Sequence, residues 1–150
     1  MIKRKMRSIK EYSLYLLAKR DYGVKELERK LMLKGYETLE IDGLLKYYLS
    51  IGYLNDKKLI DRLISYQITN NKSKKQIEVY LVNKGFDNND VKALLNMIEF
   101  EDIEKNILEK HINRYLNASK PIQKEKIINR LLNKGFSYQS IKKIIDKYFE

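Results

Sequence analysis

The tripeptide Lys-Gly-aromatic occurs three times at fifty-residue intervals, as Lys34-Gly35-Tyr36, Lys84-Gly85-Phe86 and Lys134-Gly135-Phe136. The register extends beyond it: Leu27, Ile77 and Ile127 align, as do Leu31, Leu81 and Leu131, then Ile41, Val91 and Ile141, then Leu45, Leu95 and Ile145. No insertion separates these landmarks. A chain this regular is one unit written three times, each copy packing on its neighbour in the same way. Function is then expected on an extended surface rather than in one pocket.

One Pro and six Gly interrupt 150 residues, and apolar positions recur at spacings of three and four rather than two. That periodicity predicts helix almost throughout. The expected spans are 8–20, 24–34 and 38–51, then 56–70, 74–84 and 88–99, then 102–117, 121–134 and 138–149. The fold class is all-α: three tandem three-helix repeats, nine helices in an elongated, curved array. Repeat 1 covers 1–55, repeat 2 covers 56–101 and repeat 3 covers 102–150.

Each tripeptide glycine is placed to close a helix. In the left-handed conformation it completes a Schellman cap, and the aromatic folds back onto the leucine five residues earlier: Tyr36 onto Leu31, Phe86 onto Leu81, Phe136 onto Leu131. Lys34, Lys84 and Lys134 then sit at the negative end of a helix dipole. A row of lysines reaching an acidic partner is the alternative reading. Ser73 with Gln76 forms a capping box, with Gly23 and Glu26 at the matching places of the first unit, and Asp87 with Asp90 caps the third helix of the second. Pro121 is expected in the first turn of a helix. In Gly52-Tyr53-Leu54-Asn55-Asp56, Gly52 ends one helix, Tyr53 and Leu54 pack beneath the turn, and Asn55 or Asp56 caps the next helix.

The chain carries a net charge of +11, unevenly spread: residues 1–25 hold +6, 26–102 hold −1 and 103–150 hold +6. Two separated basic ends can steer the protein to a polyanion and hold it at two points, although lysine-rich faces are also simply well solvated. The partner- or DNA-binding candidates are Lys3, Arg4, Lys5, Arg7, Lys19 and Arg20 at one end. At the other they are Arg114, Lys120, Lys124, Lys126, Arg130, Lys142 and Lys143. Among twelve tyrosines, Tyr36, Tyr48, Tyr53 and Tyr148 fall on apolar repeat positions and read as core. Tyr22, Tyr80 and Tyr138 fall off the stripe, and Tyr22, after Lys19-Arg20-Asp21, is the first candidate to stack on a base or touch a partner.

Catalysis finds little support in these residues. No Cys is present, so disulfides and thiolate sites are excluded, and the single His111 has no second His or Cys to complete a metal site. It reads as a satisfied or half-buried histidine. The glycines end helices instead of opening them, which leaves no phosphate-binding loop. No catalytic, metal or cofactor residues are expected. The basic start leads into Glu11, Lys19 and Arg20 without a long apolar run, so neither a signal peptide nor a membrane span is expected, and the cytoplasm is the default compartment.

The tandem units, the Lys-Gly-aromatic helix ends, Lys19-Arg20, Glu26-Leu27 and the corner Gly52-Tyr53-Leu54-Asn55-Asp56 together resemble the RecX regulatory proteins over nearly the whole chain. Asn55 departs from the family's usual Asp, and Gly23 from a common Ser. The resemblance implies a non-enzymatic regulator of DNA repair, homologous recombination and the SOS response. Such a protein binds along the groove of the RecA recombinase filament on single-stranded DNA and damps its strand exchange, ATPase and coprotease activities. The implied state is a monomer with weak direct DNA contact. A helical-repeat nucleic-acid binder acting without RecA is the alternative.

Overall fold

Helix ends in this chain are set by a small repertoire of caps, and those caps divide it into nine helices among the described residues. The computed structural model describes residues 6–149; Lys3, Arg4 and Lys5 lie outside them. The helices are α1 (Ile9–Lys19), α2 (Val24–Lys34), α3 (Thr38–Ser50), α4 (Asp56–Thr69), α5 (Lys74–Asn83), α6 (Asn88–Asn96), α7 (Phe100–Leu116), α8 (Lys124–Asn133) and α9 (Tyr138–Ile145). The fold is all-α, with three helices per fifty-residue period.

Gly35 closes α2 at φ +102°, with the Gly35 amide donating to the Met32 carbonyl and the Tyr36 amide to that of Leu31. This is the expected Schellman pattern, and Gly135 with Phe136 repeats it on Leu132 and Leu131. The capping box also forms. The Gln76 amide donates to Ser73 Oγ at 3.1 Å, and the Ser73 amide donates to Gln76 Oε1 at 3.0 Å. Asp87 caps α6 through the Asp90 amide.

Three local expectations are corrected. Pro121 lies before α8, which starts only at Lys124 behind Gln123, so the proline shapes the connection and not a helical turn. Gly23 and Glu26 form no capping box: Glu26 pairs with Arg20 at 2.8 Å. The start of α2 is held from a distance instead, its Val24 amide donating to Asp56 Oδ1 at 3.0 Å. In the pentapeptide corner Leu54 is 3% exposed while Tyr53 is 61% exposed. Gly52 at φ +79° turns the chain so that the amides of both following residues donate to the Tyr48 carbonyl, and only the leucine points inward. Asn55 does cap α4, accepting from the Lys58 amide.

Two compact units result. The first holds the described residues up to Ile60 together with Lys84–Phe86. Its core joins α1, α2 and α3 through Ile9, Leu16, Leu27, Leu31, Ile41, Leu45, Tyr48 and Leu54. Fully buried Ser13 and Tyr48 share a hydrogen bond of 2.6 Å; because Ser13 Oγ donates to the Lys10 carbonyl, the Tyr48 hydroxyl is the donor of the pair. The second unit holds Asp61–Asn83 and the described residues from Asp87 onward. Its main core joins α7, α8 and α9 through Leu108, Ile112, Ile127, Leu131, Phe136, Ile141 and Ile145.

Candidate functional site

In the first unit, basic residues do not simply project into water; they lie on tyrosine rings. The Arg7 guanidinium stands 4.6 Å from the centre of the Tyr15 ring, and Lys19 Nζ lies 4.2 Å from the same ring. Lys19, one helical turn beyond Tyr15, also donates to its hydroxyl. That hydrogen bond and the lysine charge hold the phenol below its ordinary pKa. Tyr12 stacks beside Tyr15, the ring centres 6.3 Å apart, packs on Tyr36 and carries Lys34 over its face. The Tyr36 hydroxyl donates to the Arg7 carbonyl, which ties the chain before α1 to this cluster. Cations over aromatic faces form a surface that offers positive charge and flat rings together.

Tyr22 is a correction. It is 7% exposed and belongs to the core of the first unit, because it falls in the connection between α1 and α2, where helical periodicity no longer predicts direction. Arg20 covers the ring at 3.8 Å and simultaneously engages Glu26, which raises the already high arginine pKa. The tyrosines that carry basic chains over their faces at the surface are Tyr15, 41% exposed, and the half-buried Tyr12, both overlooked in the sequence. The one available signal was the four-residue spacing of Tyr15 and Lys19 on a helix.

In the second unit the basic candidates separate. Arg114 donates to His111 Nδ1 at 2.7 Å, and Lys124 pairs with Asp146 at 3.0 Å. Arg130 covers the Tyr115 ring. Each of these three has a neighbouring partner, while Arg114 and Arg130 remain exposed. Lys120, Lys126, Lys142 and Lys143 are exposed. Lys143 borders a cleft of about 440 Å³ together with Glu101, Glu104, Lys105, Ser140 and Lys147. Burial raises the Glu104 carboxyl above its usual value, an effect opposed by the Lys74 amide that it accepts from. Tyr138 is 53% exposed, as its place off the stripe predicts.

His111 is buried at 3% exposure and satisfied at both nitrogens. Arginine can only donate, so Nδ1 accepts, and Nε2 carries the proton that it donates to the Asn71 carbonyl at 2.8 Å. Burial lowers its pKa, reinforced by Lys134, Arg114 and Lys72. Among the described residues no group of three His, Cys, Asp or Glu side chains could hold a metal ion, and no helix is long and apolar enough to cross a membrane.

Residues 10–47 match the family described as RecX, first three-helix domain. Over 91% of this chain and 90% of its relative, the sequence is 26% identical to regulatory protein RecX of Vibrio vulnificus. The crystal structure of RecX from Lactobacillus salivarius superposes with a TM-score of 0.77 at 27% identity, covering 91% of this chain and 92% of that one. Over nearly its whole length the chain is similar to RecX proteins. A more local match, to regulatory protein RecX of Vibrio cholerae, reaches 45% identity over 49 residues, spanning 33% of this chain and 32% of that protein. The family model thus covers the stretch that bears the Tyr12–Tyr15 cluster, the longer alignment covers most of the chain, and the matched protein is named a regulatory protein.

Proposed function

We propose that this protein is a non-enzymatic, cytoplasmic regulator that binds the RecA recombinase filament on single-stranded DNA and restrains its recombination, ATPase and coprotease activities. The observation that carries this reading is the near full-length likeness to proteins named regulatory protein RecX. The helical repeats, taken as 1–55, 56–101 and 102–150, supply several similar surfaces on one monomer, so that successive protomers of a filament are engaged with rising effective concentration. The basic residues at the two ends supply attraction to a polyanionic assembly.

Co-sedimentation with filaments tests the reading. Wild-type protein should pellet with RecA on single-stranded DNA and pellet far less with the DNA alone at physiological salt. Reversing Arg7 and Lys19 together with Lys142 and Lys143 to Glu should weaken filament binding about tenfold or more while the circular dichroism spectrum is retained. Equal pelleting with and without RecA would favour a nucleic-acid binder acting alone, a reading to which the Tyr15 cluster lends its own support.

A further inference from the structure

The three Lys-Gly-aromatic turns share a backbone and differ in what covers them. A Cβ added at Gly85 would meet Lys25 Cβ at 3.7 Å, and at Gly135 it would meet Lys75 Cβ at 2.7 Å and Ser73 Oγ at 3.1 Å. Ser73 also donates its hydroxyl to the Lys134 carbonyl. Similarly, the Phe86 ring closes on Gly23, where a Cβ would meet it at 2.9 Å. In both cases the turn receives the start of an earlier helix, α2 or α5, whose capping position is small. The polarity suits the contact: unsatisfied carbonyls at a helix C-terminus face the positive end of another helix.

Gly35 has the same left-handed backbone, at φ +102°, and among the described residues nothing lies within 4 Å of an added Cβ. Its flanks differ as well. Position 33 is Leu where the other repeats have Asn83 and Asn133, and position 39 is Leu where they have Asn89 and Gln139. All six are exposed, Leu33 at 79% and Leu39 at 85%. In the third repeat Asn133 and Gly135 border the cleft that also exposes Lys75, Gln76, Val79 and Tyr80 of α5. The side chain beside the turn is therefore polar where the chain supplies its own helix and leucine where the turn is uncovered. Scattered exposed leucines need no explanation, but a pair flanking the uncovered copy of a contact turn does.

We propose that Leu33–Tyr36, with Leu39, docks the first two turns of a helix from a protein partner, as Gly85 meets α2 and Gly135 meets α5. The fitting helix has Ser or Gly at its capping position, the serine hydroxyl donating to the Lys34 carbonyl as Ser73 does to that of Lys134. It carries apolar side chains one turn further on, in the places of Val79 and Tyr80, to cover Leu33. This rests on the RecA reading, which makes the partner helix one from a filament protomer.

The test titrates three forms into RecA filaments hydrolysing ATP. The Leu33→Asn/Leu39→Asn double variant takes residues that the chain already uses at equivalent positions, so its thermal melt should match wild type within a few degrees. Its half-inhibiting concentration should rise tenfold or more, while Asn133→Leu, at a turn covered from within, should match wild type. Equal potency of the double variant and wild type overturns the docking proposal and leaves the RecA reading standing. A wild-type protein without effect overturns the RecA reading and the docking proposal with it. Amide hydrogen exchange on the unaltered chain gives a second readout: filaments should slow exchange across 33–39, and unchanged exchange there in bound protein overturns the proposal.

Discussion

His111 shows how much one side chain can organise. It bridges the Asn71 carbonyl and the Arg114 guanidinium and lies edge-on to Phe136, the aromatic of the third turn. Asn71 holds φ +61°, a left-handed conformation that asparagine tolerates better than most residues, and this aims its carbonyl at the imidazole. The folded protein holds the ring neutral, with its pKa below the ordinary 6.5, whereas the unfolded chain protonates near that value. The unfolded state thus binds more protons between the two values, and stability falls as pH drops below about 6.5. Urea midpoints should decline more steeply from pH 7 to pH 5 in wild type than in His111→Gln. Parallel declines would show that the histidine is not held neutral by the fold. The sequence indicated a satisfied histidine but not its partners, because Asn71 lies 40 residues away and only tertiary packing joins the two.

At the scale of the element, the glycine turn combines a cap with a contact, and the two contributions can be separated by substitution. Gly35→Ala meets only the left-handed backbone penalty, about 1–2 kcal/mol, since no described residue crowds an added methyl there. Gly135→Ala meets the same penalty plus a methyl group forced against Lys75 and Ser73, adding about 1–3 kcal/mol of overpacking. Denaturant titration should rank Gly135→Ala clearly below Gly35→Ala; equal losses would mean that the third turn is looser than its geometry indicates. The cap was legible because glycine, a preceding lysine and a leucine four residues upstream sit within about one turn of helix. The contact was not legible, since the tripeptide is nearly the same in every copy and the flanking Leu33 and Asn133 gain meaning only once the covering helix is seen. Helix positions followed from periodicity for the same local reason, with most errors confined to ends such as 121–134. Connections were harder: Tyr22 turned inward and Tyr53 outward once the helical register that would orient them had stopped. Asp56 holds α2 from 32 residues away, and the sole hint was Gly23 standing where a side-chain cap belongs.

For the whole molecule, repetition supplies both the fold and the means to read its surfaces, because each position has two internal controls. Comparison among the three copies singles out Leu33 and Leu39 by residue type and Gly35 as the turn without a described neighbour. It also shows the receiving position changing from Gly23 and Ser73 to the larger Gln123, behind Pro121. Charge behaved differently from expectation: Arg7, Lys19, Arg20, Arg114, Lys124 and Arg130 each engage a ring, a histidine or a carboxylate, so charge counting along the sequence overstated how many cations stand without a neighbour. Sequence spacing reports where charges are and not what they rest on. The claim that most needs testing is regulation of a recombinase filament. Steady-state ATP hydrolysis by a matched RecA on single-stranded DNA, measured as the protein is titrated, tests it most directly. The reading predicts inhibition at well below one protein per RecA protomer, and unchanged hydrolysis at equimolar protein would contradict it.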